Sequence, residues 1–196
     1  MRSELSSPES ITMGIPQQPQ RVKLFIAIMF DGGFDLSVVS ARLRERFGEE
    51  DCSYGPVDFS WSDYYAVEMG ERLKKLYVTY AASIGREALP SIKLFSNSLE
   101  QEFAVQGKRI VNIDPGYIAR DKLVLASTKD FYHRLYLGDG IYGEVTLHFQ
   151  KGAFRHFSWT YPDYKEKELQ DLLISGRARL VGEIRKDEGG RMKAEG

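Results

Sequence analysis

Three features of this 196-residue chain predict a single-domain α+β fold. Apolar periods of two residues and of about 3.6 residues alternate along the first half. A Gly-Asp-Gly loop between two strand-like runs marks a hairpin in the second half, and a long amphipathic stretch closes the chain.

The first element is residues 22–30 (VKLFIAIMF), an almost unbroken apolar run of the kind a sheet's central strand carries. Asp31-Gly32-Gly33 turns the chain. Asp35 then suits a helix cap, with Leu36, Val39, Leu43 and Phe47 on one face and Gly48 as the stop. Val57, Phe59 and Trp61 alternate with Asp58, Ser60 and Ser62, which predicts a half-buried strand. Leu76, Val78 and Tyr80 alternate again. Pro90 fits the first turn of a second helix, whose Ile92, Phe95, Leu99 and Phe103 form a core stripe before Gly107. Residues 108–113 make a further strand. The order is β-α-β-β-α-β, that of a ferredoxin-like split unit.

The second half is richer in strands. Residues 133–137 and 141–149 flank Gly138-Asp139-Gly140 as a hairpin, and residues 154–160 extend that sheet. Residues 164–184 form the closing helix, with Leu169, Leu172, Leu173, Leu180 and Ile184 inward. Residues 1–20 are rich in Ser, Pro and Gln and are expected to be a disordered tail, as is the charged, Gly-rich stretch 186–196. Residues 21–185 are the domain.

Composition narrows the function classes. Lys+Arg at 27 against Asp+Glu at 28 gives a net charge of −1, so no global field draws nucleic acid or acidic membranes. A single cysteine, Cys52, excludes an internal disulfide and fits a reducing compartment. The polar N-terminus does not read as a secretory signal, and the longest apolar run, residues 24–30, is too short to span a bilayer. A cytoplasmic setting is the expectation.

Four clusters place polar groups where a bare fold does not need them. In residues 111–117 (VNIDPGY), Asn112 and Asp114 share one strand face just before a Pro-Gly turn. That suits an acid or metal ligand, or simply an Asx turn. In residues 122–130, Lys122 and Lys129 bracket an apolar strand beside Ser127 and Thr128, a set that suits an anion such as phosphate, or solvated lysines only. In the hairpin, Arg134 falls opposite Glu144 and Tyr136 opposite Tyr142. The pair is either a plain cross-strand bridge or an anion clamp with a base or metal ligand. His133 is expected on the other face with Leu135, Leu137 and Val145, as a core residue or a proton carrier. In residues 159–164, Trp159, Tyr161 and Tyr164 flank a Pro-Asp turn, to stack on a ligand or lid the core, with Asp163 as a helix N-cap.

Absent motifs matter equally. The chain has no GxxxxGK[ST] phosphate loop, no GxGxxG, no GxSxG and no HExxH, and His133, His148 and His156 are too scattered for a zinc site.

The stretches VNIDPGY (111–117), KLVLASTK (122–129), HRLYLGDGIYGEVT (133–146) and WTYPDY (159–164) together resemble the DUF4416 family of bacteria and archaea. Tyr64, Tyr65, Glu68, Met69 and Gly70, with Ile92, Lys93, Leu94, Asn97 and Glu100, extend the resemblance to roughly residues 21–185. Gly143 and Lys165 stand where the family pattern suggests Ala and Arg. The resemblance implies no established activity. Some members carry a GTP-binding name, but Ser127-Thr128-Lys129-Asp130 falls one residue short of a guanine-reading [NT]KxD.

The expected function is therefore the binding or turnover of a small phosphorylated or nucleotide-like anion. Lys122, Lys129 and Arg134 would hold it; Asp114, Glu144 and His133 would act as acid or base; Asp114 and Glu144 would be the ligands of any Mg²⁺. The alternative is a non-catalytic interaction module using the aromatic patch at 159–164.

Overall fold

The computed structural model describes residues 14–61, 69 and 72–194. Most of the expected N-terminal tail and residues Tyr64, Tyr65, Glu68 and Gly70 lie outside the described residues. The fold is α+β: an eight-stranded antiparallel sheet with three described α-helices. The elements are β1 (Val22–Asp31), α1 (Ser37–Phe47), β2 (Glu50–Asp58), β3 (Leu73–Ile84), α2 (Leu89–Glu102), β4 (Val111–Ile118), β5 (Lys122–Ser127), β6 (Arg134–Gly138), β7 (Ile141–Gln150), β8 (Ala153–His156) and α3 (Lys167–Ala194). The sheet order is β2-β3-β1-β4-β5-β7-β6, and β8 pairs with β7 beyond the end of β6.

The unbroken apolar run of β1 has a direct cause. Leu24, Ile26, Ile28 and Phe30 face one side and pack with Val39 and Leu43 of α1 and Ile92 and Leu99 of α2. Phe25 and Ala27 face the other side, against Leu169, Leu172 and Leu173 of α3. A strand buried on both faces needs no polar alternation. Each such Leu or Ile contributes roughly 1.5–3 kcal/mol on burial, so β1 sits at the sheet's energetic centre.

Several boundaries differ from expectation; the strand expected over residues 154–160 is Ala153–His156, and the closing helix begins at Lys167 after a 3₁₀ turn. The second strand ends at Asp58 instead of running through Trp61, because β2 is an edge strand whose register slips between Tyr54 and Val57. Its alternation is broken at Gly55-Pro56, and the Phe59/Trp61 pattern lies beyond it. The closing helix runs past Ile184 to Ala194. The fourth strand is Val111–Ile118, so it passes straight through Asp114-Pro115-Gly116, where a turn was expected.

Candidate functional site

The course of β4 creates the site. Ile113 turns its backbone away from β1: its N–H donates to Glu100 Oε1 at 2.7 Å, and its carbonyl accepts from Lys93 Nζ at 2.9 Å. Both partners come from α2, because β5 is not there. Pairing of β4 with β5 begins only at Gly116↔Leu125. Pro115, two residues on, presents its ring nitrogen to the same unpaired side, so its missing donor costs no ladder bond to β1. A strand beside a gap tolerates proline, and the turn reading fails for that reason.

Gly116 then lets β5 close in. A Cβ there would stand 2.3 Å from the Val124 carbonyl oxygen and 3.2 Å from Leu125 Cα. Beyond this point β5 leans towards β7, with Ala126 and Ser127 opposite Gly143 and Tyr142. The splay between β4 and β5 opens into a cavity of about 570 Å³, within the range of small-molecule sites. Lys93, Asn97, Glu100 and Gln101 of α2 wall one side; Asn112 and Asp114 of β4, the 127–129 loop, Arg134 and Glu144 supply the others. Tyr161, Tyr164, Phe59 and Trp61 add aromatic surface. Among the described residues, five lining side chains are basic (Lys75, Lys93, Arg109, Lys129, Arg134) and four acidic (Glu100, Asp114, Glu144, Asp163).

Asp114 is bound on both oxygens. Oδ1 lies 3.0 Å from Lys93 Nζ, and Oδ2 accepts from the Asn112 side-chain amide at 2.6 Å. Arg109 joins the chain through Asn112 Oδ1 (2.9 Å) and Glu100 (3.4 Å). Burial disfavours the Asp114 carboxylate, but the Lys93 charge and hydrogen bond, with Lys75 and Asn112, outweigh it and hold the carboxyl below its ordinary range. Glu100 goes the other way: its burial prevails over Lys93, the Ile113 N–H and Arg109, and raises it. The two carboxyls beside one lysine are thus pulled apart.

Arg134 and Glu144 pair across the β6–β7 hairpin as read, around Gly138-Asp139-Gly140. Arg134 Nε donates to Glu144 Oε2 at 2.9 Å, with side chains only 11% and 4% exposed. Arg134 Nη1 also donates to Ser127 Oγ and the Lys129 carbonyl, both at 3.0 Å. The guanidinium is locked on three sides. Glu144 is correspondingly occupied: His133 Nε2 reaches the same Oε2 at 3.0 Å and Thr146 Oγ1 donates to Oε1 at 3.2 Å. Its place is to fix Arg134.

His133 is not on an apolar face. Leu135 is 73% exposed, because β6 is an outer strand with no layer over it. The ring instead folds back from the turn before β6, stacks on Trp159 (centroids 5.0 Å, 15°) and stands behind Glu144, outside the cavity lining. Its Nδ1 has no hydrogen-bond partner among the described residues, so Nε2–H donating to Glu144 is the cheaper tautomer. Lys122 is also elsewhere. It begins the strand that Lys129 follows, pairs with Asp121 at 3.2 Å, and is absent from the cavity wall. Six strand residues span about 20 Å, so the two lysines cannot hold one small anion.

The aromatic stretch is mostly scaffold. Trp159 donates from Nε1 to the Val145 carbonyl (3.1 Å) and stacks on Phe157; Tyr164 is 2% exposed; only Tyr161 meets both cavity and solvent. The Tyr161 hydroxyl is raised by burial and then by Glu144, with Arg134 opposing. Asp163 does not cap a helix. It is buried in a 3₁₀ turn (Pro162–Lys165), where its Oδ2 accepts from Lys75 Nζ at 2.5 Å and Tyr77 Oη at 2.7 Å. Lys75, Lys93, Glu100 and Asp163 are the site groups that the sequence reading did not assign. Lys93, Asn97 and Glu100, at spacings of four and three on α2, are the detectable signal: a polar stripe beside the core stripe.

Among the described residues, no group of three or more His, Cys, Asp or Glu side chains is placed to hold a metal ion. Asp114 and Glu144 are each engaged by cationic or neutral donors, which suits them poorly to Mg²⁺.

Residues 20–179 match the family model described as a domain of unknown function, DUF4416. The chain belongs to the DUF4416 family. No curated protein and no solved structure matches it. Several of the segments that carry the DUF4416 resemblance also wall the cavity: α2, β4, the end of β5, the β6–β7 hairpin and the 161–164 turn. Among the described residues no helix is long and apolar enough to cross a membrane.

Proposed function

We propose that the cavity between β4 and β5 binds a small phosphorylated or nucleotide-like anion. The observation that carries this reading is the convergence of Lys129, Arg134, Asp114 and Glu144 on one 570 Å³ cavity with aromatic surface beside them. Lys129 and the locked Arg134 meet the anion; a planar guanidinium held in advance loses little freedom on binding. Asp114 meets a donor on the ligand, while Glu144 and His133 act behind Arg134 by holding it. Tyr161 packs against the ligand's apolar part. Neither a metal nor a guanine-specific contact belongs to this reading. A cytoplasmic setting accords with the single cysteine. The alternative reading, an interaction module using the 159–164 patch, has less to support it, since Tyr164 is buried and the Trp159 indole is bound to the Val145 carbonyl, which leaves Tyr161 as the exposed ring.

The test is a thermal-shift panel of inorganic phosphate, nucleoside mono- and triphosphates and the parent nucleosides, each with and without Mg²⁺. A phosphorylated ligand at about 100 times its Kd adds about 2.7 kcal/mol, or roughly 5–10 °C for a chain of this size. The parent nucleosides should give far less, and Mg²⁺ should not be required. No shift with any phosphorylated compound at millimolar concentration would overturn the proposal.

A further inference from the structure

A second, smaller cavity of about 240 Å³ lies on the other side of the Lys75–Asp163 pair, below the size of drug-scale sites and suited to one headgroup. Its wall combines Tyr54, Phe59, Trp61 and Tyr77 with the carboxylates of Asp58, Asp163 and Glu166, and among the described residues it includes no basic side chain. Tyr54 and Tyr77 are stacked, with centroids 5.8 Å apart and planes 11° from parallel. We infer that this cavity is a binding site for an organic ammonium ion, held by aromatic faces and by the Glu166 carboxylate.

Two observations carry the assignment beyond the lining itself. The rings already serve a cation: Lys75 Nζ sits 5.0 Å from the Phe59 centroid and 5.3 Å from that of Tyr77, and its charge is met by Asp163. Aromatic faces arranged about an ammonium are the usual recognition device for alkylated amines, which cannot be gripped by strong hydrogen bonds. Asp58 is matched by Lys74 at 3.0 Å, but partly buried Glu166 has no side-chain hydrogen bond or ion pair among the described residues. It lines the same wall as Tyr54, Trp61 and Tyr77. The Tyr54 and Tyr77 hydroxyls are raised chiefly by burial, then by Glu168 at Tyr54 and Asp163 at Tyr77, with Glu166 adding to both. A carboxylate left without a counter-charge against an aromatic wall is complementary to a cation and to nothing anionic. The site is independent of the anion cavity, although Phe59, Trp61 and Asp163 border both.

The experiment is a calorimetric titration of the full chain with tetramethylammonium and choline, and with 3,3-dimethylbutan-1-ol as choline's neutral isostere. A peptide bearing trimethyl-lysine serves as the second source of the same group. Saturable binding of the ammonium compounds is expected, with the neutral alcohol at least about tenfold weaker. Tighter binding of the peptide assigns the cation to a protein side chain, and equal or weaker binding to a free small molecule; both uphold the site. Glu166→Gln should weaken ammonium binding severalfold while leaving any phosphate response and the unfolding midpoint unchanged, and Trp61→Ala should weaken it further. Absence of ammonium binding, equal binding of the neutral alcohol, or an unaffected Glu166→Gln protein would overturn the inference.

Discussion

Arg134 and Glu144 define what a single residue does in this protein. At 11% and 4% exposure the pair is a buried one, not a surface bridge worth about 1 kcal/mol or less. Deleting one partner strands the other charge in a dry site. Glu144→Ala should therefore cost about 3–5 kcal/mol in urea unfolding, and a cost below 1 kcal/mol would show that Arg134 finds water instead. Asp114 carries a pH signature. Its folded pKa lies below its unfolded value of 3.8, so its contribution is present above about pH 4 and lost as pH falls through the depressed value. Asp114→Asn should flatten the acid limb of stability against pH below about 4. Because the side chain is 35% exposed, solvent screening keeps the effect modest. An unchanged acid limb would contradict the Lys93–Asp114 pairing. Asp114 and Arg134 were legible in the sequence because their neighbours in strand and hairpin are local. The face of His133 was not, since no sequence pattern reveals that β6 has no layer over it. The Lys75–Asp163 bond, 88 positions apart, leaves no local trace.

At the scale of elements, the gap beside β4 is the feature on which the site depends. The Glu100–Lys93 pair stands in for a missing strand partner, and Gly116 sets where β5 takes over. Gly116→Val should force β5 off β4, destabilise the protein by about 1–3 kcal/mol, and enlarge or deform the cavity. Hydrogen exchange at Val124 and Leu125 would report this, and protection as in the wild type would refute it. The hairpin was readable because glycine at 138 and 140 meets a direct backbone need, with φ of 124° and 75°. Strand β2 was not, because an edge strand with a slipped register shows weak alternation. Pro115-Gly116 misled for a stated reason: the same dipeptide that makes a turn in open chain lines a gap when its nitrogen side is unpaired.

The whole molecule is a sheet sandwiched between α1 and α2 on one face and α3 on the other, with β1 closed off from both sides. Native-state hydrogen exchange should accordingly be slowest in β1, where Val22 to Phe30 are at most 4% exposed, and fastest in β6 and β8 at the outer edge of β7. A uniform profile would mean that the sheet does not open from this edge. Net charge near zero excluded a global field but concealed the local arrangement, in which basic and acidic side chains gather around one cavity. In the proposed function, this cavity holds a phosphorylated anion through Lys129 and Arg134. Lys129 is exposed, so Lys129→Glu should fold normally and is the cleanest probe. The deciding measurement is a calorimetric titration of wild-type and Lys129→Glu proteins with a nucleoside monophosphate and with inorganic phosphate. Saturable one-to-one binding of at least one of them to the wild type is expected. Affinity should be at least about tenfold weaker in the variant, a loss of about 1.4 kcal/mol, with the fold retained. No binding to the wild type, or equal affinity in both proteins, would contradict the proposed function.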